Sequence, residues 1–497
     1  MPLSGDKIMI YQSTRGHEKK VSALTAIREG IAPDGGLYIP LEIPSVSKES
    51  FEKMKDMSYP ERAAFVLSLF IDELSYDTLL SECEKAYSSF TGGIAPVKYL
   101  DETRSVLELW HGPTCAFKDM ALQIMPRLLS KALEASDEKR DALILTATSG
   151  DTGKAALEGY KDANRIKIMV FYPENGVSDI QKLQMRTQEG DNLSVCAIRG
   201  NFDDAQSGVK KIFADKEIAE KLSDKGYFLT SANSINWGRL APQIAYYFSL
   251  CCDILKERKT DEPIDICVPT GNFGNILAAY YAKRMGAPIG KLICASNSND
   301  VLTVFINTGV YDRNREFYTT LSPSMDILLS SNLERLLAIL SSREECASYM
   351  KSLSECGRYE VSDALKEAIK ESFVGICCDE ENCQKTVKSV FDRYSYLIDT
   401  HTAVAAFCAD EYIGTLPVYE RQMAIVSTAS AFKFAPAVCA SLGIETSESD
   451  SAEKLSDFTK AEIPYPISSL KNKTPRFSQV IDKEEMADAV LLFADKQ

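Results

Sequence analysis

From about residue 94 onward, short apolar runs alternate with stretches whose apolar positions recur at helical spacing. The runs are Ser105–Trp110 (SVLELW), Ala142–Ala147 (ALILTA), Lys167–Phe171 (KIMVF), Leu193–Ile198 (LSVCAI), Asp265–Pro269 (DICVP) and Lys291–Ala295 (KLICA). Helices are predicted to start near Ala116, Gly153, Asp179, Asp203 and Asn275. Strands this uniformly apolar need cover on both faces, and a helix between successive strands makes them parallel. The fold class is therefore α/β, with mainly parallel sheets covered by helices. Ligands in such folds lie beyond the carboxyl ends of the strands.

The pattern divides the chain into four stretches. Residues 1–92 read as a small separate domain, with helical pieces at Ser22–Glu29, Tyr59–Phe70 and Tyr76–Tyr87 and a turn at Pro33–Gly36. Its polar cluster Ser13-Thr14-Arg15-Gly16 reads as a capped turn. The α/β core occupies 93–309. Residues 310–395 break the alternation: Leu328–Leu340, Glu344–Cys356, Val361–Phe373 and Lys385–Tyr396 read as helices, so an all-helical insertion is expected. Residues 396–497 return to the core through a helix at Asp399–Asp410 and a buried strand at Met423–Ser427.

Charge and cysteine usage narrow the partners. With 56 basic against 71 acidic side chains, the net charge of −15 argues against nucleic acid or an anionic membrane. Fourteen cysteines occur without a CxxC pair, which reads as buried reduced thiols in a cytoplasmic protein and gives no metal-ligand set. No basic–apolar leader opens the chain, and no uncharged apolar run approaches membrane-spanning length. A small-molecule substrate and a monomer or homodimer are expected.

The chemistry gathers in four stretches. In His111–Gln123 (HGPTCAFKDMALQ), Lys118 lies at a strand-to-helix turn, where a helix N-terminus disfavours a positive charge and lowers the amine pKa. A lysine that is partly neutral can form a Schiff base, although a single lysine near a helix start is ordinarily a solvated side chain. Thr146–Gly153 (TATSGDTG) places two glycines and four hydroxyl-bearing residues before a helix, a candidate nest for a carboxylate or phosphate. Pro269–Asn275 (PTGNFGN) also joins an apolar strand to a helix, without the Gly-Lys-Ser/Thr ending of a Walker loop or a GxGxxG fingerprint. Thr428-Ala429-Ser430 ends the strand Met423–Ser427 and is either a cap or a hydroxyl partner for a ring nitrogen.

Several blocks, in order over nearly the whole chain, resemble threonine synthase. They are STRG, APDGGLYIP, HGPTCAFKDMALQ, TATSGDTGKAAL, GNFDDAQ, SANSINWGRLAPQIAYYF, PTGNFGN, LSPSMDILLSSNLERLL, DTHTAVA and STASAFKFAP. The resemblance implies the fold type II arrangement of pyridoxal 5'-phosphate enzymes. It implies that Lys118 holds the cofactor, that Gly271, Asn272, Phe273, Gly274 and Asn275 cradle its phosphate, and that Thr428 meets the pyridine nitrogen. Asp151 would approach the ring hydroxyl; many relatives carry asparagine there, and a carboxylate needs a proton or a cationic neighbour.

Ser149, Thr152, Asn233, Ser234, Asn236 and Arg239 are the implied substrate contacts, with Arg239 suited to a phosphate. The implied reaction converts O-phospho-L-homoserine and water to L-threonine and phosphate. A phospho-lyase releasing 2-oxobutanoate and ammonia is the nearest alternative, and a non-catalytic binding module the next. His111 and His401 are read as structural or as supporting residues behind the site, and the insertion and the first domain are candidates for an element that closes over it.

Overall fold

The four helices of the amino-terminal region all start after a serine. The computed structural model describes residues 8–495, apart from Ser149, Gly176 and Glu448 and the side chain of Asp203. In it β1 (Tyr11–Ser13) pairs antiparallel with β2 (Tyr38–Pro40), and α1 (Ala23–Glu29), α2 (Lys48–Met54), α3 (Tyr59–Ser68) and α4 (Tyr76–Tyr87) surround them. Ser22, Ser47 and Ser75 accept first-turn amides at three of these starts, and Glu61 accepts the Ser58 amide at the fourth.

The core runs β3 (Val97–Tyr99), β4 (Arg104–Glu108), α5 (Asp119–Leu122), α6 (Met125–Glu134), β5 (Asp141–Ala147), α7 (Asp151–Tyr160), β6 (Ile166–Pro173) and α8 (Asp179–Arg186). It continues through β7 (Leu193–Arg199), α9 (Phe202–Ala214), α10 (Lys216–Asp224), β8 (Tyr227–Thr230), α11 (Trp237–Arg258), β9 (Ile264–Pro269), α12 (Gly274–Arg284), β10 (Ile289–Ser296) and α13 (Val301–Thr308). The predicted helix near Ala116 is displaced and short. A turn precedes α5, so Lys118 stands at its N-cap position.

The region 310–395 is not all helical. Four helices do form, α14 (Leu333–Leu340), α15 (Arg343–Cys356), α16 (Asp363–Ser372) and α17 (Glu380–Tyr394), but three strands accompany them. β11 (Val310–Asp312) pairs antiparallel with β12 (Arg358–Glu360), and β13 (Phe373–Cys377) joins β10 in parallel as an edge of the main sheet. A Cβ at Gly375 would lie 2.9 Å from the Thr303 backbone, so β13 docks on α13 only through a glycine. A five-residue run holding a central glycine carries no strand period, which is why the pattern hid it.

After α18 (Thr400–Gly414), β14 (Met423–Ser427) returns to the middle of the main sheet, and β15 (Val480–Asp482) closes the edge of the second. The six-stranded sheet has the order β13-β10-β9-β14-β4-β3, parallel except at β3; the five-stranded sheet, β15-β7-β6-β5-β8, is parallel throughout. β9 and β14 are buried at every position, as expected of strands covered on both faces. α11 is buried along nearly all its length, which explains its apolar character all round.

Candidate active site

Because β4, β14 and β9 are adjacent and parallel, the segments following them emerge side by side. Those segments are His111–Lys118, Thr428–Ser430 and Thr270–Asn275. The first two are stitched together: Phe117 N–H donates to Thr428 O at 2.8 Å, Ser430 N–H to Cys115 O at 3.1 Å, and Ala116 bridges Ala429. Lys118 and Thr428 therefore share one edge with the GNFGN loop.

That loop is built to present amides. α12 starts at Gly274, its N-cap Phe273 sits at φ 62° in the left-handed region, and no side chain caps the helix. First-turn amides have no intrahelical acceptor, so this terminus suits an anion. The side chain of Asn272 is exposed and Phe273 is buried against Phe373 at 5.5 Å, which leaves their backbone to line the loop. Asn275 Oδ1 accepts from the hydroxyls of Tyr246 at 2.5 Å and Tyr247 at 2.6 Å, while its buried Nδ2 has no partner among the described residues.

The five-stranded sheet brings its own loops to this edge. β5 and β8 are neighbours, so Thr148–Gly150 and Ser231–Asn236 follow adjacent strand ends. Thr148 Oγ1 accepts the amides of Gly150 and Gly153, shaping the turn into α7, whose first residue is Asp151. Asp151 is buried. Its Oδ1 receives Lys433 Nζ at 2.6 Å and Gln181 Nε2 at 2.9 Å, and its Oδ2 lies 3.7 Å from Lys118 Nζ. Burial alone would raise this carboxyl, but the charges of Lys433 and Lys118 and the two hydrogen bonds hold it well below the usual carboxylate range.

Lys433 is the cationic neighbour that Asp151 requires, and sequence reasoning missed it. It lies in a turn of 3-10 helix, Ala431–Phe434, is essentially unexposed, and also donates to Thr114 O at 2.9 Å. Its signal was a lone charge between Phe432 and Phe434 in an apolar run.

The Lys118 amine is depressed from its ordinary value, as expected, but the cause differs. Burial comes first, its side chain being only 12 % exposed; Asp151 opposes, and the charges of Lys433 and Arg239 add to the depression. A four-residue helix supplies little dipole by comparison.

Among the expected substrate contacts, Arg239 lies near enough to Lys118 for its charge to count there. Its Nη1 donates to Ala232 O at 2.7 Å, its buried Nε has no partner among the described residues, and burial lowers the guanidinium to about 10, still a cation at neutral pH. Asn233 and Ser234 are partly exposed beyond β8, and Thr152 is partly exposed on α7 beside Asp151. Ser149 lies outside the described residues. Asn236 is not free to bind a substrate: its Nδ2 donates to Ile27 O and Ser231 O, and its Oδ1 caps α11 through Gly238 N. Its polar atoms tie the first domain to the core instead.

Two family models match the chain, "Threonine synthase N terminus" over residues 10–87 and "Pyridoxal-phosphate dependent enzyme" over residues 106–427. Threonine synthase from Saccharomyces cerevisiae is 34 % identical, covering 97 % of both chains. This chain belongs to the threonine synthase family of pyridoxal-phosphate dependent enzymes. The PLP-bound threonine synthase from Brucella melitensis superposes with a TM-score of 0.88 at 34 % identity, over 98 % of this chain and 100 % of that one. Threonine synthase-like 1 from Homo sapiens is 41 % identical over 88 % of this chain, which spans 61 % of that relative's length.

Pyridoxal phosphate is accordingly the cofactor of this threonine synthase family member. The residues fit it: an uncapped helix N-terminus for the phosphate, an orphaned Asn275 Nδ2 and a depressed lysine amine at the same edge. The family's opening domain reaches this edge through α14. Arg15 and Thr14 engage Glu334, with Arg15 Nε 2.9 Å from Oε1, and Arg335 donates to Tyr38 O, Ile235 O and the Asn332 side chain. Asn332 in turn donates its amide and Nδ2 to Asn272 O, each at 3.1 Å.

Both histidines of interest are tied up structurally. His111 Nδ1 donates to Thr91 O at 2.8 Å, and its Nε2 lies 2.7 Å from Glu108 Oε2, itself beside β14.

Proposed function

We propose that this protein is a threonine synthase that converts O-phospho-L-homoserine and water to L-threonine and phosphate, with Lys118 as the residue that holds the cofactor. The observation that carries the reading is the Lys118 amine at the mouth between the two sheets, beside Asp151 and along the edge that bears the uncapped α12 terminus. Bound pyridoxal phosphate supplies an electron sink for negative charge at the substrate α carbon.

The side chains divide the remaining tasks. The amides of Gly271–Asn275 take the cofactor phosphate, and the Thr428 hydroxyl offers the pyridine nitrogen a neutral partner. Arg239, with Thr152, Ser149, Asn233 and Ser234, receives the substrate's carboxylate and phosphate; guanidinium pairs with phosphate bidentately. The Lys118 amine, depressed by burial, removes and later restores the proton of the α carbon and carries a proton from the β carbon to the γ carbon, which becomes the methyl group. Phosphate leaves the γ carbon, and water adds at the β carbon. The free thiols of all fourteen cysteines, twelve of them buried, favour a reducing compartment such as the cytoplasm.

Incubation with O-phospho-L-homoserine should yield threonine and phosphate in equal amounts. Release of 2-oxobutanoate and ammonia would assign the protein to phosphate elimination without hydration. Borohydride reduction followed by peptide mass analysis should place one pyridoxyl group on Lys118, and an adduct on another lysine would overturn the assignment.

A further inference from the structure

Lys433 and Asp151 form a buried ion pair that joins the two sheets, and the geometry around it is asymmetric. The Lys433 ammonium is 2.6 Å from Asp151 Oδ1, where Gln181 also donates, and it donates in turn to the Thr114 carbonyl at 2.9 Å. The second oxygen, Oδ2, faces Lys118 at 3.7 Å, beyond hydrogen-bond length. Thr114 is itself pinned, its amide and hydroxyl both donating to Asp119, so the carbonyl that orients Lys433 is fixed.

A lysine must be neutral to attack an aldehyde or accept a proton from carbon. A buried carboxylate with no other cation would close on Lys118 and keep it an ammonium. We propose that Lys433 is a positioning residue: it engages Asp151 so that the anion faces Lys118 without capturing it, leaving the Lys118 amine free to shed its proton. The charged groups facing this amine are Asp151 from α7, Lys433 from the turn after β14, Arg239 from α11 and Asp119 from its own helix. Those facing Lys433 are Asp151, Lys118 and Asp119, with the Cys115 thiol alongside. The Lys154–Glu158 pair stands behind Asp119.

The inference rests on Lys118 being the cofactor lysine, and one experiment separates the two. Protein loaded with pyridoxal phosphate is titrated with base while its visible absorbance is followed. Lys433→Met should raise the midpoint by about one unit or more, Asp151→Asn should lower it by a similar amount, and Lys433→Arg should leave it near wild type. In the Asp151→Asn background, adding Lys433→Met should move the midpoint far less, because no carboxylate is left for Lys433 to engage. A midpoint unmoved by Lys433→Met alone, raised as much in the Asp151→Asn background, or moved in the same direction by both single substitutions, would overturn the proposal. Peptide mass analysis of each reduced protein reports separately on Lys118: a pyridoxyl group found there with unmoved midpoints sinks only the role of Lys433.

Discussion

His401 Nε2 accepts the backbone N–H of Ser324 at 3.1 Å while its Nδ1 lies 2.7 Å from Asp399 Oδ2. An amide can only donate, so Nδ1 carries the ring proton and gives it to Asp399. The turn Pro323–Met325, which backs the cofactor loop, is thus held from α18. Replacing His401 with leucine strands a buried amide and removes a donor from a buried carboxylate, a loss of about 2–4 kcal/mol. We expect a lower thermal midpoint and a higher dissociation constant for pyridoxal phosphate, read by calorimetry and by absorbance titration. Unchanged values of both would refute this account of the turn.

Gly271 lies against that same turn. A Cβ there would meet Ser324 O at 2.9 Å and Met325 Cα at 3.3 Å, both backbone atoms with little freedom to yield. Gly271→Ala should therefore push the loop off its position and weaken cofactor binding by about tenfold or more, since overpacking costs about 1–3 kcal/mol. Far-ultraviolet circular dichroism should stay as in the wild type, because the disturbance is local.

Arg239, buried and close enough to Lys118 for its charge to count there, has an Nε without a partner among the described residues. Removing a charge-assisted contact to phosphate costs about 1.5–3 kcal/mol. Arg239→Ala should accordingly raise the KM for O-phospho-L-homoserine by about ten- to a hundredfold, with the pyridoxyl adduct on Lys118 retained. A KM equal to wild type would remove Arg239 from substrate binding.

Burial pushes the Asp119 carboxyl up to about 6, against hydrogen bonds from the Thr114 hydroxyl and amide that pull it down. A carboxyl raised in the folded state contributes stability that is complete below its unfolded value, about 3.9, and is lost as pH rises through the folded value. Asparagine has no such titration. The stability of the wild type relative to Asp119→Asn should therefore decline between pH 4 and pH 7, by on the order of 3 kcal/mol in total. Thermal midpoints measured side by side across that window test it, and a constant difference would count against the buried acid.

The two edges show what patterning conveys. β5, β6, β7, β9, β10 and β14 were readable because strands buried on both faces must be apolar throughout, and the anion loops were readable because glycines and hydroxyls cluster where a strand meets a helix. β13 was not readable, since its membership depends on Gly375 fitting against α13. Asn236 misled for a related reason: a polar residue beside a substrate loop looks the same in sequence whether it caps a helix or meets a ligand.

By itself the sequence determined the fold class, which follows from local periodicity, and its motifs pointed to Lys118 and the GNFGN loop through their resemblance to a known family. Tertiary structure alone decided that Lys433, placed 282 positions after Asp151, is the cation that keeps that carboxylate ionised. It also decided that the Lys118 amine is depressed by burial rather than by a helix. Electrostatic energy depends on distance and on exclusion of water, and neither quantity is written in the order of the residues.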